Sequence, residues 1–134
     1  METKKETESY ETDASLEIEQ TFQLNKISAK VEDKIILFDP QEIDYIESKN
    51  GQSILFTRGE GFSTGLTLKE LELQLQSQGF FRCHRSYIVN LQKIREVITW
   101  TRNSYSLSLI DKKSSEVPLS KSKLAKLKEL LGVE

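Results

Sequence analysis

From Phe22 onward, apolar and polar positions alternate in short runs. Lys26 to Glu32, Lys34 to Asp39, Glu42 to Ser48 and Ser53 to Arg58 carry apolar residues at alternate positions or in brief blocks, which predicts strands. Glu32-Asp33, Asp39-Pro40 and Lys49-Asn50-Gly51 supply turn chemistry between them, and Gly59 and Gly61 flank the next bend. Thr67-Leu68-Lys69-Glu70 has the form of a capping box and predicts a helix start. Leu68, Leu71 and Leu75 follow at helical spacing and Gly79 can close the end, although Leu71, Leu73 and Leu75 also alternate like a strand. Phe80 to His84, Ser86 to Leu91, Ile94 to Thr101 and Ser104 to Ile110 predict further strands, with a turn at Arg102-Asn103. Pro118 sits in a short extended piece, and Ser120 is placed to cap a last helix whose Leu124, Leu127 and Leu131 form one stripe. The expectation is a mostly β fold with two helices.

Met1 to Ser15 is rich in Glu, Thr and Ser and has almost no large apolar side chain to offset the entropy of ordering, so it is expected to be disordered. The chain divides into an acidic arm, residues 1–25, and a domain, residues 26–134. At 134 residues and 37% hydrophobic content there is material for one modest core. No run approaches the ~18 apolar residues of a membrane span, and the acidic amino end is unlike a secretory signal, so a cytoplasmic, membrane-free protein is expected. Cys83 stands alone, which excludes an internal disulfide and fits a reducing compartment.

The net charge of -2 conceals an asymmetry. Residues 1–25 hold two basic and seven acidic residues, net -5, while residues 80–128 hold eleven basic and three acidic, net +8. A local basic surface suits a phosphate backbone, though such surfaces also meet acidic proteins and membranes.

Catalysis finds little support. Cys83 and His84 are the parts of a nucleophilic dyad, but neighbours in a strand point to opposite faces, and Cys83 reads as a small core residue. One histidine makes no metal cluster, and no zinc, calcium or phosphate-loop motif occurs, so no enzyme, metal or cofactor is expected.

The most informative stretch is Phe80-Phe81-Arg82-Cys83-His84-Arg85-Ser86-Tyr87-Ile88-Val89-Asn90-Leu91, where a polar trio interrupts two apolar pieces. Arg85 is suited to bidentate contact with guanine, His84 to donating to a base or phosphate, and Ser86 to bonding a phosphate oxygen. The competing explanation is that Arg82, His84 and Arg85 protect a sheet edge from aggregation. This segment resembles the signature of LytTR-type DNA-binding domains, the output domains of bacterial transcriptional regulators and two-component response regulators. The resemblance extends through Ile43-Asp44-Tyr45-Ile46-Glu47-Ser48, Leu68-Lys69-Glu70-Leu71-Glu72 and Val117-Pro118-Leu119-Ser120, roughly Lys26 to Leu131.

The resemblance implies an elongated stack of small β-sheets whose loops enter successive major grooves of double-stranded DNA, with pairs of copies on repeated sites. It implies base contacts from Arg85, supported by His84, from Asn50, Gln52 and Ser53 in the first loop, and from Ser122. Lys49, Arg82, Ser86, Lys93, Arg102, Lys121, Lys123 and Lys126 are assigned to phosphate. The family commonly has arginines after the serine where this chain has Ser120-Lys121-Ser122-Lys123, and lysine lacks the planar fork of arginine. Phe80, Phe81, Tyr87, Trp100 and Tyr105 are expected in the core rather than as stacking platforms for single strands. The runner-up function is a β-type interaction module whose basic face docks an acidic partner. Family members usually carry a receiver or membrane sensor ahead of this domain. The residues before Lys26 are too few for either, and whether the chain is a stand-alone regulator, an output domain or part of an assembly stays open.

Overall fold

The structure, a computed structural model, describes residues 25–133. The acidic arm therefore lies outside the described residues, apart from Asn25. Among the described residues, ten strands and two α-helices follow in order: β1 (Ile27–Val31), β2 (Lys34–Phe38), β3 (Tyr45–Lys49), β4 (Gln52–Thr57), β5 (Glu60–Thr64), α1 (Leu68–Leu75), β6 (Phe80–His84), β7 (Tyr87–Asn90), β8 (Ile94–Thr101), β9 (Ser104–Leu109), β10 (Glu116–Leu119) and α2 (Leu124–Leu131). They form a β1-β2 hairpin, a five-stranded sheet ordered β5-β4-β3-β7-β6 and a three-stranded sheet ordered β10-β9-β8. Each strand pair is antiparallel.

The five-stranded sheet is the middle layer, and the period-2 pattern of its strands divides its side chains between two cores. Ile46, Leu55, Phe80 and Ile88 join Ile27, Ala29 and Phe38 of the hairpin and Leu68, Leu71 and Leu75 of α1. Cys83 and Val89, with Tyr45, Phe81 and Tyr87 at the margin, face Leu107, Leu109, Val117 and Leu119 of the small sheet and Leu127 of α2. Neighbours such as Phe80 and Phe81, or Ile88 and Val89, thus serve opposite layers.

The capping box forms as the sequence implies: the Thr67 hydroxyl accepts from the Glu70 amide at 3.1 Å and the Glu70 carboxylate accepts from the Thr67 amide at 2.9 Å. The helical period prevails over the strand-like one, leaving Leu73 61% exposed. β3 starts at Tyr45 rather than Glu42 because Asp39 caps a short 3-10 turn, Pro40–Glu42, by accepting from the Gln41 amide. The chain after Gly59 is a strand, β5, where the glycines led us to expect only a bend. Gly61 lies opposite Phe56, and a Cβ there would meet Phe56 Cε1 and Ile54 Cγ2 at 3.0 Å. The glycine therefore admits close cross-strand packing.

Trp100 corrects another expectation, since it is 59% exposed. Val97 pairs with Leu107 and Ile98 with Ser106, so strand alternation puts Trp100 on the face of the small sheet away from the second core, where its Nε1 donates to Ser106 Oγ at 2.8 Å. Ser120 does not cap with its hydroxyl; a 3-10 turn, Lys121–Lys123, intervenes before α2.

Candidate nucleic-acid interface

Strand direction decides which turns meet. β3 ends at Lys49 and β7 starts at Tyr87, and because these strands pair antiparallel, the β3-β4 turn and the β6-β7 turn share one edge of the middle sheet. The Ser48 amide donates to the Ser86 carbonyl at 2.8 Å and ties them together. The small sheet brings its β8-β9 turn, Arg102-Asn103, to the same edge, as Ser120 follows the near end of β10 and its amide donates to the Cys83 carbonyl at 2.9 Å. Lys121 Nζ donates to Asn103 Oδ1 at 2.6 Å, joining the last two segments.

The first turn is built by Asn50 and Gly51, whose φ values of +54° and +77° give the two left-handed positions of a tight hairpin. Lys49, Asn50 and Gln52 are exposed around it. Ser53, the other expected reader here, is 4% exposed, on the inward face of β4 with Leu55 and Thr57, and it does not share the surface.

In the second turn, His84 Nδ1 accepts from the Ser86 amide at 3.1 Å, so the neutral imidazole carries its proton on Nε2 as a donor. Burial, and then the Arg85 guanidinium, push the His84 pKa below its ordinary 6.5 and favour that neutral form. Arg85 is exposed. Cys83, with its thiol buried and its pKa pushed up to about 12 by desolvation, has Sγ 3.8 Å from the Tyr87 carbonyl and no bond to His84, so the two make no dyad. Glu47, the nearest carboxylate on β3, accepts from the Tyr87 hydroxyl at 3.0 Å; burial and that carboxylate raise the tyrosine pKa to about 12.

The remaining positions separate. Arg102 is exposed, its carbonyl held by the Tyr105 hydroxyl at 2.7 Å. Lys121 and Ser122 are exposed, and the Lys123 ammonium lies 5.9 Å from the Phe81 ring centre. Lys126, on α2, is exposed and 3.5 Å from Glu129. Lys93 is at the far end of the middle sheet, 3.4 Å from the buried Asp44, whose pKa is raised by burial against the counteracting Lys93 charge. Arg82 turns inward to Glu72 Oε1 at 3.1 Å and to the Arg85 carbonyl. Sequence reasoning missed Asn103, Ser120 and Glu72. The first two were read only as turn and cap, and no spacing rule links Glu72 to a partner ten positions later.

Among the described residues, no group of three or more His, Cys, Asp or Glu side chains is arranged to hold a metal ion, and no helix is long and apolar enough to cross a membrane.

A family model, the LytTr DNA-binding domain, matches residues 33–132. The chain belongs to the LytTr DNA-binding domain family. The structure is similar to the LytTr domain of a putative methyl-accepting/DNA response regulator from Bacillus cereus, with a TM-score of 0.73 and 27% identity, covering 82% of this chain and 99% of that one. The Escherichia coli K12 transcriptional regulatory protein YpdB is 37% identical over 100 residues, 75% of this chain and 41% of that protein. The heme-containing CO-sensing transcriptional regulator RcoM 1 of Paraburkholderia xenovorans is 36% identical over 110 residues, 82% of this chain and 41% of that protein. The sensory transduction protein LytT of Bacillus cereus is 34% identical, with 84% of this chain and 45% of that protein covered. The chain thus spans under half the length of YpdB, RcoM 1 and LytT. The LytTr match and the stack of small sheets agree with the family and fold inferred from Phe80 to Leu91.

Proposed function

We propose that this LytTr domain binds double-stranded DNA in a sequence-specific manner and regulates transcription, its edge turns entering the major groove. The observation that carries the reading is the convergence of four segments, 49–52, 84–86, 102–103 and 120–123, on one edge. They hold five lysines and arginines and no carboxylate. Arg85 supplies the guanidinium fork for guanine, His84 an Nε2 donor, and Asn50 and Gln52 amides suited to adenine. Ser122 is a further reader. Lys49, Ser86, Arg102, Lys121, Lys123 and Lys126 hold phosphates. Lys93 and Arg82 leave the phosphate set because Asp44 and Glu72 engage them.

Titration of a labelled duplex at several salt concentrations tests the reading. Neutralising about five phosphates gives a log-log slope of about -4 to -5. An equally charged acidic polypeptide distinguishes the competing docking role: the proposal expects it to bind far more weakly than duplex. Preference for the polypeptide, or a slope near zero with DNA, contradicts it.

A further inference from the structure

The base-reading turn is held at its backbone while its central side chain is free. Ser86 is fixed through both peptide groups, its amide donating to His84 Nδ1 at 3.1 Å and its carbonyl accepting from the Ser48 amide at 2.8 Å. The Arg85 carbonyl accepts from Arg82 Nη2. The same guanidinium reaches, through Nη1, Glu72 Oε1 on α1 at 3.1 Å. Its Nε is buried without a partner, and the side chain is 24% exposed against 39% for Glu72. The β6-β7 register shifts between Phe81 and His84, the stretch that carries Arg82, and bulges of this kind re-aim side chains.

We propose that Arg82 is a positioning residue, not a phosphate contact: it couples the Arg85 turn to helix α1 through Glu72, so that base discrimination depends on where that helix sits. This rests on the sequence-specific reading above. A phosphate contact needs donors directed at solvent, whereas both Nη groups of Arg82 have protein partners. A planar fork can bridge a carboxylate and a carbonyl at once; an ammonium, as a compact point charge, reproduces the charge without the bridge. Helix α1 is a firm anchor because Leu68, Leu71 and Leu75 are buried in the first core. The brace thus runs from core to helix to guanidinium to recognition turn, leaving only the Arg85 side chain free to find its base.

The test is an anisotropy titration of the full chain and of Glu72→Ala, Arg82→Lys, Arg85→Ala and the Glu72→Ala/Arg85→Ala double variant. Each is measured on a selected duplex and its scrambled counterpart over a range of salt. We expect Glu72→Ala and Arg82→Lys each to lower the cognate-to-scrambled affinity ratio about tenfold, with scrambled-site affinity and salt slope unchanged. In the Arg85→Ala background, Glu72→Ala should cost nothing further, because the group it positions is gone. Full discrimination in Arg82→Lys overturns the proposal, as a phosphate-binding lysine would retain it. Tighter scrambled binding with a steeper slope in Glu72→Ala overturns it too, since that is the signature of a released phosphate contact. Should Arg82→Lys fail to fold, the half-exposed Glu72 variants decide. If Arg85→Ala alone discriminates like the parent chain, the underlying reading of Arg85 falls, whatever Glu72 does.

Discussion

At the scale of single residues, two kinds of contact should separate by experiment. Arg85→Ala is expected to cost about 1 to 3 kcal/mol of discrimination between cognate and scrambled duplex. Lys123→Ala should weaken both duplexes alike and flatten the salt slope by about 0.9. Equal losses on both duplexes for Arg85→Ala would assign it to phosphate. His84 gives a pH signature. Its folded pKa lies below the ordinary 6.5, so the unfolded chain binds the proton more readily, and the associated stability is present above about pH 6.5 and lost as the pH falls through the lower folded value. The chain has one histidine, so its imidazole proton resonances titrate without ambiguity. A midpoint below 6.5 is expected, and one at or above it contradicts the geometry. The place of His84 and Arg85 at the β6-β7 turn was legible because a polar trio between apolar strand pieces marks a turn. Ser53 was legible in principle, since it shares the parity of Leu55, a core residue of β4. Lys93 was not, because its partner Asp44 is far away in sequence and reaches it only through the β3-β7 pairing.

At the scale of elements, the helices carry different loads. Thr67→Ala removes one half of the capping box and should cost about 1 kcal/mol, read as a lower thermal midpoint with little change in DNA affinity. Leu127→Ala empties a fully buried position in the second core and should cost about 2 to 5 kcal/mol. Because α2 follows the Ser120 to Lys123 segment directly, that variant should also weaken binding to every sequence; unchanged affinity would detach α2 from the interface. The strands were readable from alternation and from turn residues such as Asn50-Gly51, and the first helix from its cap. The hidden features depend on cross-strand geometry. Gly61 reads as a breaker until Phe56 is known to lie opposite, and Trp100 reads as core until the pairing of Ile98 with Ser106 shows that it shares the face turned away from Leu107.

At the scale of the whole molecule, the layering explains how segments more than seventy residues apart in sequence become one surface. A middle sheet with a core on each face fixes the directions of β3, β7, β9 and β10, and those directions deliver four turns to one edge. That convergence could not be read from spacing, only from the family resemblance at Phe80 to Leu91. The amino-terminal residues 1–24 carry net charge -5 and can only repel or imitate phosphate, so their removal should leave DNA affinity unchanged or raise it. If this edge reads DNA sequence, a bound pool must show it. The most direct test is selection of the bound fraction from a pool of random duplexes at near-physiological salt, followed by sequencing. A short enriched motif that disappears in Arg85→Ala is the expected result; a folded chain that binds the pool without enrichment rules out sequence-specific binding at this edge.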